Sequence, residues 1–348
     1  MSAPVEVMMS ETEKVPEQGD ARPREQIAYL DQNVYSKLLD ADIAPWKDVL
    51  RQAGLRFAFS DVHLYEMRNR PADYARLLTE LDAVFLRNPS AEHNIHARIS
   101  CIEPGDAARR FAEHQEPSGI WDAFEAMLGP LHHLCGGQRD RDMQDIAHET
   151  ETTMVEHLLS LLPAEDAQLR DAFRLSFAGS LAQSTDELGR IDPAEDWEKL
   201  TALRDHARRG DPMRNMRALE KVHHLLSGLP EEERKAFVEL YPEKFAQTRS
   251  ISTGELVGLS MALFGMGLVR LKGYFSGKRQ FSNFASQSRD ARHIEEAARC
   301  DMFVTFDKDA AELAEATFAY AGFPTKTFLA QRQPPEPHSP QEPPCAPV

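Results

Sequence analysis

Residues 288–310, SRDARHIEEAARCDMFVTFDKDA, combine a helix-forming segment, a short turn and an apolar run that ends at an acid. Alanine and isoleucine recur in the first half at the spacing of one helix face. The run at 302–305, MFVT, is typical of a parallel strand that is buried on both faces. Asp290 is expected to begin the helix, and Asp307 follows the strand. Because ligands of open parallel sheets bind beyond the carboxyl ends of the strands, these two acids are expected to meet.

Two further acids follow apolar runs nearer the N-terminus. Residues 27–30, IAYL, and residues 56–59, RFAF, predict two more buried strands. Asp31 follows the first run directly, and Glu66 falls on the second turn of a helix that a serine or aspartate can cap. Acids at the exits of these strands are therefore the candidate site: Asp31, Glu66, Asp290 and Asp307.

The same residues resemble the sequence pattern of the PIN-domain nucleases. LDQNVYSKL is similar to the Asp-x-Asn opening of that family, and the Ser-to-Glu spacing of SDVHLYE is similar to its second motif. The stretch at 290–310 resembles the third and fourth motifs, in which an Asp begins a helix and Thr-x-Asp ends the next strand. The four motifs occur in the family's order, and together they are more specific than any of them alone.

The resemblance implies a fold, an activity and a cofactor. The fold is α/β, a PIN-like Rossmann-type parallel sheet flanked by helices. The activity is hydrolysis of phosphodiester bonds, usually in RNA, with Mg²⁺ or Mn²⁺ as the cofactor. By this resemblance the four acids are the catalytic residues and the metal ligands, directly or through water. Asn33 and Thr305 match polar positions of the pattern and are expected to support the ligands.

Elementary chemistry points the same way. Carboxylates crowded at one point repel one another unless a cation neutralises them. Oxygen ligands without a cluster of Cys or His favour Mg²⁺ or Mn²⁺. Taken singly, each acid is more simply explained as a helix cap or a solvated residue, and Asp309 competes with Asp307 for the last position. His293 lies three residues after Asp290 and is expected to support the site by hydrogen bonding, or to contact phosphate.

The chain's length predicts that the α/β domain is interrupted. Between about 116 and 249 helical patterns dominate and prolines separate them, whereas apolar runs typical of strands lie on both sides. Weaker runs at 99–102 and 325–328 predict a third strand and a last, edge strand. The predicted organisation is a disordered tail at 1–25, the PIN-like domain at 26–115 and 250–330, a helical insertion at 116–249, and a disordered Pro-rich tail at 331–348.

Composition restricts the setting and the partners. The four cysteines form no C-x-x-C pair, and the start lacks the features of a signal peptide, so a reduced cytoplasmic location is expected. The longest apolar run, 256–269, is shorter than the about 20 residues of a membrane span, so no membrane partner is expected. The net charge of −16 argues against non-specific nucleic-acid binding by the whole surface. RNA is instead expected to contact one basic strip: Arg270, Lys272, Lys278, Arg279, Arg289 and Arg292.

Two alternatives remain open at this point. The chain could be a non-catalytic PIN-like scaffold that binds RNA or a protein, and a protein regulator is an expected partner in either case. It could also be another Mg²⁺-dependent phosphohydrolase on a Rossmann-like sheet. Such enzymes often carry an Asp-x-Asp motif, whereas the third position here is Asn33.

Overall fold

A computed structural model describes residues 26–39, 54–87, 102–114, 125–209, 212–270, 273–275 and 277–330, except for the side chains of 178–182. The predicted tails at 1–25 and 331–348 lie outside these ranges, and so does Lys272.

The described strands form one six-stranded sheet in the order β4-β3-β2-β1-β5-β6. Neighbouring strands run parallel except β3 and β4, which pair antiparallel at the edge. Chain order runs outward in both directions from the boundary between β1 and β5, which is therefore the topological switch point of the sheet. The strands are β1 (Gln26–Leu30), β2 (Leu55–Ser60), β3 (Val84–Leu86), β4 (Ile102–Glu103), β5 (Met302–Thr305) and β6 (Lys326–Leu329).

Helices account for most of the remaining described chain, and no helix among the described residues is long and apolar enough to cross a membrane. In chain order they are α1 (Gln32–Leu39), α2 (Asp61–Glu66), α3 (Pro71–Glu80), α4 (Ala107–His114), α5 (Leu128–Leu134), α6 (Met143–Ser160), α7 (Ala167–Gly189), α8 (Ala194–Arg208), α9 (Ala218–Ser227), α10 (Glu231–Leu240), α11 (Phe245–Thr248), α12 (Glu255–Gly265), α13 (Gln280–Ala297) and α14 (Lys308–Ala321).

The sheet is covered on both faces, which explains the nearly continuous apolar character of its central strands. Ala28, Phe57 and Phe59 point into a core that they share with helices α1 to α4. Tyr29 and Ala58 point to the other face, into a larger core with helices α12 to α14. The predicted α/β architecture, a mostly parallel sheet flanked by helices, is thereby confirmed.

The third parallel strand lies elsewhere than predicted. It is β3, whose three residues are all buried and pair with β2 in parallel. Of the run at 99–102, only Ile102 is described, and there it begins the antiparallel edge strand β4. The strand β3 was not predicted because it is too short to stand out from the helix that precedes it. Its burial between β2 and β4 makes it a strand, and that burial is a tertiary effect.

The position of Asp290 also differs from the prediction. Asp290 does not begin its helix, because α13 starts at Gln280 and Asp290 lies in its middle. The preceding Ser-rich segment reads as a loop by composition. It is helical because Phe284 and Ala285 are buried against the larger core.

The helices between 125 and 248 are tied to the sheet in different ways. Helices α6 and α7 pack mainly on each other. Helix α9 packs against α14, and Val222 and Leu225 on α9 lie in the same apolar core as the strand residue Phe303. The later part of the predicted insertion therefore contributes directly to the core beneath the sheet.

Candidate active site

The candidate site lies in the crevice between the carboxyl ends of β1 and β5, at the switch point of the sheet. Leu30 pairs with Val304 in parallel register, and the backbone N–H of Asp31 donates to Val304 O at 2.9 Å. This pairing places Asp31 beside Thr305, so residues far apart in sequence meet because two parallel strands end together.

Asp31 is buried and held by two polar side chains. Asn33 Nδ2 and Thr305 Oγ1 both donate to Asp31 Oδ2, each at 2.6 Å. Asn33 Oδ1 also accepts from the backbone N–H of Phe306 at 3.1 Å, which ties the start of α1 to the end of β5. Burial raises the pKa of Asp31, with Glu66 adding to the rise and His293 acting against it. Asn33 and Thr305 thus both fix the position of Asp31 Oδ2, and their role in supporting a metal ligand stays a prediction.

Glu66 reaches the same crevice from α2 and is bound by two residues of α13. Arg289 Nε donates to Glu66 Oε1 at 3.0 Å, and His293 Nε2 lies 2.8 Å from Glu66 Oε2. Because a carboxylate only accepts, the proton of that contact belongs to His293 Nε2. Burial acts to raise the pKa of Glu66, but His293 and Arg289 outweigh it and the pKa lies below its usual value. Arg289 also donates to Glu125 Oε1 at 2.6 Å.

Beneath His293 is a buried polar relay that the sequence did not reveal. His293 Nδ1 lies 2.8 Å from the Tyr29 hydroxyl, which lies 2.9 Å from Ser60 Oγ. His63 packs against the same rings and its Nε2 donates to Leu30 O at 2.7 Å. The one sequence signal for this relay is Tyr29 itself, because a tyrosine hydroxyl inside a buried strand needs a hydrogen-bond partner.

Opposite shifts of the pKa distinguish the two histidines of this relay. Burial lowers the pKa of His63 well below its usual value, and the neighbouring His293 lowers it further, which favours the neutral form of His63. Burial acts in the same direction on His293, but Glu66 and Asp31 outweigh it and raise the pKa. The histidine that contacts Glu66 is therefore the one whose protonated form the site stabilises.

Asp290 is the acid of the four whose carboxylate has the fewest polar contacts with other residues that the structure describes. It lies on α13 one turn before His293, and it makes no hydrogen bond or ion pair with any residue that the structure describes. Burial raises its pKa well above the usual value, and repulsion from Asp31, Glu66 and Asp307 raises it further. Asp290 thus lies within electrostatic reach of the other three acids, while the neighbouring Arg289 acts on it in the opposite direction.

Asp307 is exposed at the rim of the crevice and caps α14. Its Oδ1 accepts from the backbone N–H groups of Asp309 and Ala310, at 2.7 and 3.1 Å, while its own N–H donates to Thr305 Oγ1 at 3.0 Å. The helix cap that sequence reasoning weighs against a ligand role is therefore present. Asp309, the competitor for this position, donates its backbone N–H to that cap.

The four carboxylates are suitable ligands for a divalent cation by their chemistry, but in the present arrangement they do not surround a metal position. Within the described ranges no group of three or more His, Cys, Asp or Glu residues has its ligand atoms around one metal position. The contacts explain why: Asp31 is held by Asn33 and Thr305, Glu66 by Arg289 and His293, and Asp307 by the start of α14. Carboxylate oxygens are nevertheless the ligands that Mg²⁺ and Mn²⁺ prefer. The mutual repulsion at Asp290 is what such an ion would relieve.

The basic residues expected to contact RNA are dispersed. Lys278 and Arg279 are exposed just before α13, about 15 Å along the helix axis from Asp290. Arg292 is partly buried beside Glu125 and Tyr65, and burial lowers its pKa. Arg289 bridges Glu66 and Glu125. The nucleic-acid contacts of Lys272, Lys278, Arg279 and Arg292 stay predictions.

In comparisons with known proteins, no family model, no curated protein and no solved structure matches the chain.

Proposed function

We propose that this protein is a metal-dependent nuclease of PIN-like architecture that hydrolyses phosphodiester bonds, with RNA as the expected substrate. The observation that carries the proposal is Asp290, a partly buried acid within electrostatic reach of Asp31, Glu66 and Asp307, which makes no hydrogen bond or ion pair with any described residue. Neither the packing of the core nor the capping of helices accounts for that carboxylate. A site that binds a cation does account for it.

Mg²⁺ or Mn²⁺ bound by these acids would supply a water of lowered pKa and stabilise the negative charge that develops on the scissile phosphate. Asn33 and Thr305 fix the orientation of Asp31 through its Oδ2. His293 keeps Glu66 in the crevice and holds a proton at Nε2, with Tyr29 fixing the other side of its ring. Asp307, at the exposed rim, would have to leave its helix cap to join the set.

Cleavage of oligonucleotides tests the proposal. Purified protein is incubated with single-stranded RNA and DNA oligonucleotides in Mn²⁺, in Mg²⁺ or in EDTA. We expect RNA cleavage with either metal and none in EDTA. Asp31→Asn and Asp290→Asn should each lower the rate by more than about 100-fold, since each removes a ligand. Asp171→Asn, an exposed acid on α7, should leave it unchanged.

The alternatives give different results in the same assay. A scaffold without activity binds RNA but releases no product in any metal. A phosphohydrolase of small substrates releases phosphate from nucleotides and leaves oligonucleotides intact. Undiminished cleavage by purified Asp31→Asn or Asp290→Asn protein would remove these acids from the mechanism.

A further inference from the structure

Next to Asp307 the surface opens into a groove of about 960 Å³. One wall is formed by the end of α8, the 3₁₀ turn at Pro212–Asn215 and the start of α9, all within the helical region between 116 and 249. The rest of its described lining comes from residues 267–270, Asp307 and the start of α14. The groove therefore runs from the helical region directly to the rim of the acid crevice.

The groove is basic although the protein is acidic. Its lining contains five cationic side chains and three carboxylates, in a chain whose net charge is −16. One pair is internal, because Lys221 Nζ lies 2.5 Å from Glu312 Oε1. The cationic residues are Arg208, Arg214, Lys221, Arg270 and Lys308.

Three of these cations are not held in an ion pair within the described chain, although Arg270 and Lys308 lie close enough to Asp309 to act on its pKa. Arg214, Arg270 and Lys308 are exposed and make no hydrogen bond or ion pair with any described residue. Some exposed arginines elsewhere do form ion pairs, as Arg109 does with two nearby carboxylates. What distinguishes the groove is that three exposed cations without an ion-pair partner among the described residues line one cavity beside an acid of the candidate site, and this points to an anionic occupant.

We infer that this groove binds the phosphate backbone of a single-stranded nucleic acid and leads it to the acid crevice. The inference rests on the proposed function and gives the helical region a role, since Arg214 on that region lines the groove together with Arg270 and Lys308. A single strand is the occupant because a positively charged groove can follow its backbone and carry one phosphate to the acids. The lining residues that the structure describes include no aromatic ring, so this part of the groove is expected to contribute affinity without selecting bases.

Binding measured without catalysis tests the inference. The probe is a fluorescent single-stranded RNA oligonucleotide, titrated in EDTA over a range of salt concentrations. The triple variant Arg214→Ala, Arg270→Ala, Lys308→Ala should bind at least about tenfold more weakly than the parent at 0.1 M salt. Its log–log salt slope should be shallower by about 2, since each lost phosphate contact on a single strand contributes about 0.7.

A second triple variant removes the same charge from other exposed positions. Arg174→Ala, Arg234→Ala and Lys235→Ala, on α7 and α10, should change neither affinity nor slope, because these exposed residues do not line the groove. Thermal melting of both triple variants should match the parent, as all six side chains are exposed. An equal loss in both variants, or parental binding by the groove variant, overturns the inference.

Two further arms separate this inference from the proposed function. Asp290→Asn should bind the RNA probe like the parent while failing to cleave it. Groove-dependent binding without cleavage in any metal would refute the nuclease and leave the groove assignment standing. If the groove variant cleaved RNA with the same KM as the parent, the groove assignment would be refuted and the nuclease proposal would stand. Binding of a poly-glutamate peptide but not RNA, lost in the groove variant, would identify an acidic protein as the occupant and also overturn the inference.

Discussion

Asp290 is the residue on which the account of the site depends most. It is a partly buried acid whose pKa is raised well above its usual value by burial and by three neighbouring acids, and no described residue offers it a hydrogen bond. In a protein without metal, such a carboxylate destabilises the fold. With a divalent cation it becomes a ligand, and its cost to the fold is offset by binding.

Asp290→Asn is therefore expected to stabilise the metal-free protein. Removing the charge relieves repulsion with Asp31 and Glu66 and keeps the shape of the side chain. We expect a gain of about 1 kcal/mol, or about 2 °C in Tm, when melting is followed in EDTA at pH 7. With Mn²⁺ the parent should have the higher Tm, because only the parent is stabilised by binding the metal. A lower Tm of the variant in EDTA would show that the carboxylate has a stabilising partner.

At the level of secondary structure, α13 is the element that assembles the site. Within little more than one turn it carries Arg289, Asp290 and His293. Arg289 and His293 both contact Glu66 of α2. Arg289 is in turn anchored by Glu125. Arg289 therefore neutralises a proposed ligand, in competition with any cation that approaches the crevice.

Arg289→Gln should bind Mn²⁺ more tightly than the parent. Loss of the guanidinium frees Glu66 and makes the crevice more negative, and we expect about a tenfold gain in affinity by isothermal titration calorimetry. Glu125→Gln is the matched control, because it leaves Arg289 on Glu66 and should change the affinity by no more than about twofold. Unchanged or weaker binding by Arg289→Gln would mean that Arg289 positions Glu66 for the metal.

The elements that the sequence revealed are those determined by local pattern. The apolar runs at 27–30, 56–59 and 302–305 are strands because they are long enough to be read and are buried on both faces. The run at 325–328 is displaced by one residue, as β6 spans Lys326–Leu329. The short β3 and the early start of α13 escaped prediction because burial, rather than composition, stabilises both.

Across the molecule, contacts between distant segments were beyond what the sequence could reveal. The pairing of Arg289 with Glu125, the relay from His293 to Tyr29 and the groove between α9 and α14 all join residues from separate parts of the chain. The strip expected from local charge density did not assemble as one surface, since Arg289 is used internally and Arg270 faces the groove. Charge density along a chain does not determine charge density on a surface.

In the present arrangement the four acids do not surround a metal position. We expect them to close around a divalent cation when one is present. Anomalous diffraction from crystals soaked in Mn²⁺ tests this directly. We expect a peak in the crevice at the ends of β1 and β5, about 2 Å from carboxylate oxygens of Asp31 and Asp290, with Asp307 turned away from its helix cap. A crevice without a peak at saturating Mn²⁺, or Mn²⁺ bound only elsewhere on the protein, would contradict the account.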